Sequence, residues 1–398
     1  MATADRLSRF TSELDQLRSA GTYKELRHVA GPTGPVVDLE DKKDVLLLCA
    51  NNYLGLADHP EVIAAGQQAL TAYGAGTASV RFICGTFTIH KQLEERLSTF
   101  FHTESALTYV SAWNANEGLI PTLLGEGDAV ISDALNHASI IDAIRLTRGV
   151  ARGIYKHADV ADLRAKLEEH RSARTKLIVT DGVFSMEGDL APLPDICQLA
   201  DDYGALVMID DSHGTGVLGP TGRGTHEHFG VLNRIDVLTS TLGKALGGAA
   251  GGFVCASRTL VDYLIQRSRP QLFSNALPPT VAASAMQALA VLEREPARVA
   301  RVRENAAYFR AELKKLGYQP LESESAIVPI IVGDTALAIQ ISRTLYDEHG
   351  VFVIGFGFPV VPEGTARLRV QVSAAHTKAH LDRALQAFAS LRSQLPQT

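Results

Sequence analysis

The chain has 398 residues, 46% of them hydrophobic and 21% charged, with a formal net charge of −6. That composition excludes a disordered or fibrous chain, and the length allows a large core and two lobes. The acidic balance leaves no basic footprint for nucleic acid. No apolar run reaches the ~18 residues of a membrane span. Four scattered cysteines (Cys49, Cys84, Cys197, Cys255) with no CxxC pair argue against a metal site or a disulfide framework and for a reducing cytoplasm. The opening Met1-Ala2-Thr3-Ala4-Asp5-Arg6 lacks the apolar core of a secretory leader.

In chain order, Asp5 to Ala20 carries Leu7, Phe10, Leu14 and Leu17 at helical spacing. An amphipathic helix lying against a neighbouring surface is predicted there. A strand-like run, Val45 to Ala50, stops at Asn51-Asn52-Tyr53-Leu54-Gly55, and a helix from Pro60 to Tyr73 breaks at Gly74-Ala75-Gly76. The chain then alternates. A helix passes through Leu93 to Leu97, a strand covers Ala106 to Val110, and a turn at Ser111-Ala112-Trp113-Asn114 leads into another helix. Further strand signals lie at Ala129–Ser132, Leu177–Thr180, Ala205–Asp210, Val237–Thr239 and Gly252–Cys255. Helical segments between most of them predict an α/β fold with a largely parallel sheet.

A helix from Pro279 to Glu293 reads as the exit from that lobe. A smaller α+β lobe follows, with a helix from Val302 to Leu316, strands near Ile327–Ile331, Val351–Ile354 and Arg367–Val372, and a last helix from His380 to Leu391. The expected organisation is an N-terminal helix and arm (1–50), a large domain (51–293) and a small C-terminal domain (294–398), with no internal repeat.

Chemistry concentrates around Asp236 to Gly248, where a β-branched run empties into a loop carrying Lys244 among small residues. Ala205 to His213 is a second strand end, bearing Asp210, Asp211 and His213. Parallel strands bring their C-terminal ends to one sheet edge, where α/β proteins bind ligands. Lys, Asp and His on that edge are the parts a pyridoxal phosphate site needs. Asp210 closes the apolar run, so it is the one expected against a protonated pyridine nitrogen, while His213 is expected to bond the phenolate oxygen. His137 follows another strand and offers a flat imidazole for stacking on a ring. Ser111-Ala112-Trp113 precedes a helix, whose free N–H groups form a phosphate seat, and Thr241 adds a hydroxyl.

Gly214 to Gly219 is a literal GxGxxG after a strand, but it runs into Pro220 instead of a helix, so it reads as a glycine-rich loop and not a dinucleotide fingerprint. Gly243-Lys244 is followed by Ala245, which excludes a P-loop, and Ser212 has no G-x-S-x-G elbow around it. Arg367 and Arg369 flank Leu368 on a predicted strand and are expected on opposite faces. One is expected to face solvent or an acidic partner and the other to clamp a carboxylate.

Several stretches together resemble the α-oxoamine synthase family of fold-type I pyridoxal phosphate enzymes. They are Asn51 to Gly55, Ser79 to Thr86 with His90, Asp133 to Ile140, Asp181 to Gly188, Asp210 to His213, Thr239 to Gly248, Leu272 to Asn275 and Arg367 to His376. Ser79 to Thr86, Asp210 to His213, Gly243 to Phe253 and Phe273 to Asn275 are most similar to the members that acetylate glycine. Glu187 to Pro192 and Gly214 to Val217 are more like those that join alanine to pimeloyl-CoA with loss of carbon dioxide. Ala112-Trp113-Asn114 departs from the Cys or Gly, Phe and Asp or Thr of the family pattern.

The resemblance implies an aspartate aminotransferase-like fold and a homodimer with shared sites, in which Ser274 and Asn275 reach the partner's cofactor phosphate. It implies that Lys244 holds pyridoxal phosphate and takes the Cα proton, and that Arg369 grips the glycine carboxylate with Asn51 and Ser185 nearby. His137, Asp210 and His213 serve the ring. The implied reaction condenses glycine with acetyl-CoA in threonine degradation, the alternatives being the alanine and pimeloyl-CoA reaction or a broad-specificity α-oxoamine synthase.

Overall fold

The computed structural model describes residues 2–358 and 360–392, so the outer ends of the expected 1–50 and 294–398 segments lie outside the described residues. The chain begins with α1 (Ala2–Ser19), whose Leu7, Phe10, Leu14 and Leu17 all stay exposed. Two short strands, β1 (Val36–Val37) and β2 (Val45–Leu47), pair antiparallel. Helix α2 (Pro60–Tyr73) has its proline in the first turn, where a missing N–H breaks no intrahelical bond. Helix α3 (Thr88–Phe101) buries Leu93, Leu97, Phe100 and Phe101 along one face.

From there strands and helices alternate: β3 (Ser105–Tyr109), α4 (Ala112–Leu123), β4 (Ala129–Asp133), α5 (Ala138–Leu146), β5 (Ala151–Tyr155), α6 (Val160–Glu169), β6 (Lys176–Asp181), α7 (Leu193–Tyr203), β7 (Leu206–Asp210), α8 (Thr225–His228), β8 (Val237–Thr241) and β9 (Gly252–Ala256). The strands form a seven-stranded sheet in the order β3-β9-β8-β7-β6-β4-β5. Only β9 runs against its neighbours. Every residue of β4, β6 and β9 is buried, as expected of strands covered on both faces. Each large apolar side chain taken from water there contributes about 1.5–3 kcal/mol.

Helices α9 (Arg258–Arg267), α10 (Arg269–Phe273) and α11 (Pro279–Arg294) leave the sheet. They are followed by α12 (Ala297–Lys315), β10 (Ile327–Gly333), α13 (Thr335–His349), β11 (Val351–Phe352), β12 (Ile354–Phe356), β13 (Ala366–Gln371) and α14 (Lys378–Leu391). Strands β10, β13 and β12 form an antiparallel sheet over a second core that includes Leu46, Phe309, Leu368 and Phe388.

Some elements differ from the sequence reading. Ser111 to Asn114 is a cap and not a turn: Ser111 accepts from the Asn114 N–H, and Ala112 and Trp113 are already helical. Strand β5 went unread because it is an edge strand with alternate residues exposed, leaving no apolar run. The run Val351 to Ile354 is two strands. Phe352 pairs with β2, whereas Ile354 pairs with β13, so the chain changes sheets at buried Val353. Arg367 and Arg369 share a face, because residues two apart on a strand point the same way. The opposite face of β13 belongs to Leu368 and Val370 in the second core.

Candidate active site

Strands β6, β7 and β8 end level with one another, Asp181 opposite Asp210 and Asp210 opposite Thr239. Their loops therefore open at one sheet edge, joined by the loop after β4 that carries His137. A cavity of about 230 Å³ lies there, lined by the expected Ala112, Trp113, His137, Asp210, His213, Thr241 and Lys244. Asp181, Val183, Ser139 and Ser212 complete its wall.

Lys244 reaches the cavity from the loop after β8, and its Nζ lies 2.8 Å from Nε2 of His213. Burial pushes its amine down to about 8; Arg369 adds to the fall, while Asp210 and Asp181 oppose it. His213 is itself held well below the ordinary imidazole range, first by burial and then by Lys244 and Arg369. Both effects disfavour charge on the Lys244–His213 pair. His213 is buried and braced behind by Tyr53, whose hydroxyl is 2.7 Å from Nδ1.

Asp210 and Asp211, adjacent in sequence, face different surroundings. Asp210 lines the cavity, accepting from Asn116 Nδ2 at 2.7 Å and from the Ser212 N–H at 3.0 Å. Asp211 is fully buried behind it and accepts from the Thr225 hydroxyl at 2.5 Å and the Thr215 hydroxyl at 3.2 Å. Burial raises it to about 7. The glycine-rich loop wraps this carboxylate so closely that a Cβ on Gly224, whose φ is 108°, would lie 1.6 Å from its Oδ2.

Helix α4 points its N-terminus into the cavity, where its first N–H groups have no intrahelical partner. A Cβ at Gly252 would lie 2.3 Å from the Ala112 nitrogen, so only glycine lets this end settle on β9. Thr241 lines the cavity while donating to the Gly251 carbonyl. His137 caps α5 by accepting from the Ser139 N–H and meets Trp113 edge-on at 6.0 Å. Ser274 and Asn275 are elsewhere. They line a separate crevice, and Asn275 bridges to Val80. Exposed Phe82, Ile83 and Phe273 surround that region.

Arg369 is 7% exposed, and its Nε and Nη2 have no hydrogen-bond partner. Arg367, on the same face, donates to the Met186 carbonyl and the Glu187 carboxylate, pinning the loop that carries Ser185. Ser185 and Asn51 are both half-buried outside the cavity wall, and Asn51 accepts from Gln371.

The aminotransferase class I and II family model matches residues 43–388. The chain belongs to this family. The 2-amino-3-ketobutyrate coenzyme A ligase of Mus musculus, described as mitochondrial, is 48% identical over 378 residues, covering 95% of this chain and 90% of that protein. The 8-amino-7-oxononanoate synthase of Symbiobacterium thermophilum is 48% identical over 396 residues, 99% of each chain. A solved SPT structure with PLP superposes with a TM-score of 0.91 at 32% identity, covering 97% of both chains.

Several residues of this aminotransferase-family site escape a sequence reading. Asn116 is fully buried, and its amide joins Asp210, Ser139 and the Thr239 hydroxyl. Nothing in its helical context marks it. Asp181 carries a buried oxygen without a partner, and burial plus Asp210 push it well above the usual carboxylate range. Its place at the end of a fully buried strand, behind the apolar Leu177 to Val179, is the signal that could have found it. Tyr53 and Gln371 lie far apart in sequence, and only folding makes them neighbours of His213.

Proposed function

We propose that this chain is a pyridoxal phosphate-dependent acyltransferase that condenses glycine with acetyl-CoA to 2-amino-3-oxobutyrate and CoA. The observation that carries this reading is a low-pKa lysine facing Asp210 in the cavity, with a buried, half-unpartnered arginine nearby. A guanidinium without partners is costly to bury unless an anion completes it, and a carboxylate matches its fork.

These residues fit pyridoxal phosphate. The α4 N-terminus at Ala112 and Trp113 suits its phosphate, Asp210 its pyridine nitrogen, His213 its phenolate and Lys244 its aldehyde. When bound, the cofactor supplies an electron sink for the carbon next to the amino group. Arg369 fixes the glycine carboxylate, with Asn51 and Ser185 close by, and Lys244 takes the Cα proton on Nζ. The freed carbon attacks the thioester carbonyl; the new C–C bond forms, the C–S bond breaks, and CoA leaves as the thiolate that regains a proton. Asn116 and Ser212 hold the Asp210 carboxylate in place, and His137 and Trp113 flank the mouth.

Ser274 and Asn275, in their own crevice among exposed apolar side chains, support a homodimer in which they serve the partner's site. The exposed stripe of α1 adds apolar surface for a second copy to cover. We assign a reducing cytoplasm, supported by four cysteines that form no disulfide, and a role in threonine degradation. Among the described residues no helix is long and apolar enough to cross a membrane. The division into a large and a small lobe is supported by two separate cores, although the first extends past residue 293 to Val299, Val302 and Ile327, and β2 joins the small lobe through β11.

The second reading, alanine with pimeloyl-CoA and loss of carbon dioxide, is favoured by the equal 48% identity to an 8-amino-7-oxononanoate synthase. Turnover of glycine and of alanine with acyl-CoA substrates of increasing length decides between them. Borohydride reduction of the holoenzyme, followed by peptide mapping, is expected to mark Lys244. A mark on any other lysine overturns the assignment.

A further inference from the structure

Behind Lys244 runs a chain of buried polar groups. Gln371 Nε2 donates to the Tyr53 hydroxyl oxygen at 3.0 Å and also to Asn51 Oδ1. The Tyr53 hydroxyl lies 2.7 Å from His213 Nδ1, and His213 Nε2 lies 2.8 Å from Lys244 Nζ. Tyr53 is fully buried, and Gln371 and His213 nearly so.

Proton accounting fixes the direction of the chain. The Tyr53 oxygen already accepts from Gln371, and burial keeps the phenol protonated. Of the two partners described for this hydroxyl, only Nδ1 of His213 can accept its hydrogen. Turning it away would strand a buried donor, which is costly. A neutral imidazole that accepts at Nδ1 carries its hydrogen on Nε2. That hydrogen then points at Lys244, whose Nζ must receive it through a lone pair. An ammonium has none.

We propose that Tyr53 is a positioning residue that sets the tautomer of His213, thereby favouring the neutral amine of Lys244 over its ammonium and aiming an Nε2–H donor into the cavity. The inference rests on the reading of Lys244 as the reactive amine. It extends that reading by giving a role to a side chain that does not itself line the cavity. The same donor then meets whatever oxyanion occupies the cavity once Nζ is engaged elsewhere. Other charges act on this pair as well. Asp210 and Asp181 favour the ammonium, Arg369 opposes it, and His137 and Arg369 disfavour charge on His213. Tyr53→Phe leaves all of these charges in place and removes only the hydroxyl, with its bonds to His213 and from Gln371.

The test uses cofactor-free full-length protein, so its outcome is separate from the borohydride mapping that tests the reading of Lys244. Above about pH 8, where Lys244 is largely the neutral amine, nitrogen NMR of histidine-labelled protein, with the His213 signal assigned by its loss in His213→Gln, is expected to show hydrogen on Nε2. Tyr53→Phe is expected to move that signal toward the Nδ1–H form. It is also expected to raise the Lys244 pKa by about 0.5–1, slowing its acylation near neutral pH roughly three- to ten-fold. Gln371→Met removes the donor that turns the Tyr53 hydrogen toward His213, and should shift both readouts the same way. A purely structural role for Tyr53 would change melting but neither readout. Hydrogen on Nδ1 in the unaltered protein, or an unchanged spectrum and labelling rate in both variants, overturns the proposal.

Discussion

At the residue scale, neighbours in sequence divide their work according to what each one meets. Asp210 opens on the cavity, whereas Asp211 turns back to hold Thr215, Thr225 and the glycine-rich loop. Asp210→Asn is expected to lower turnover by orders of magnitude with little change in melting. Asp211→Asn, which disturbs several buried hydrogen bonds, is expected to lower the melting temperature more than the rate. Comparing steady-state rates with thermal unfolding separates the two, and equal loss of rate from both would refute the division.

The two arginines of β13 split in a similar way, although they share a face. Arg369→Ala is expected to weaken glycine binding by about 2–5 kcal/mol, the range for truncating one partner of a buried charge pair, with acyl-CoA affinity nearly unchanged. Lysine at this position should rescue only partly, since a point charge cannot reproduce the guanidinium fork. Arg367→Ala frees the Met186 and Glu187 loop instead, so its defect is expected in stability and order of that loop. Titration of the holoenzyme with glycine, followed by its absorption change, measures the first effect. Amide exchange across residues 182–190 measures the second.

At the element scale, the sheet edge is built by register and close approach. Level strand ends put Asp181 and Asp210 side by side, and the α4 N-terminus reaches the cavity because β9 carries glycine under it. Gly252→Ala places a methyl against backbone that cannot swing aside. It is expected to cost about 1–3 kcal/mol of stability and to weaken cofactor retention, because the helix end must lift. Urea unfolding and dialysis against cofactor-free buffer check both. The strand Val351 to Ile354 shows the same dependence on partners from the other side. Its sequence reads as one strand, yet pairing with β2 and then β13 breaks it in two.

At the scale of the whole molecule, buried titratable groups couple stability to pH. His226 lies in the core against Phe101, has no partner on either ring nitrogen, and is pushed down to about 4 by burial. Between its unfolded value near ~6.5 and that folded value, the unfolded chain binds more protons, so this group's contribution to stability falls as pH falls. Asp211, raised to about 7, works in the opposite sense over much of the same range. His226→Phe should therefore lose less of its urea midpoint between pH 6.5 and pH 4 than the unaltered protein does. An identical pH slope in the two would show that His226 does not titrate with unfolding.

The sequence by itself determined what is local or periodic. The apolar runs gave the buried strands, because a strand covered on both faces must be apolar at nearly every residue. Strand ends then marked Lys244, Asp210, His213 and His137, since the ends of parallel strands share an edge. The tertiary structure decided what depends on a partner distant in the chain. Edge strand β5, with alternate residues exposed, has no such run to read. Asn116 earns its role only by facing Asp210, and Tyr53 and Gln371 only by meeting behind His213. The orphaned guanidinium of Arg369 is likewise a property of what surrounds it. Alternation along one strand could not reveal it and, misapplied, set Arg367 on the wrong face. A side chain's type travels with the sequence, but its hydrogen-bond partners and its desolvation exist only once the chain has closed around it.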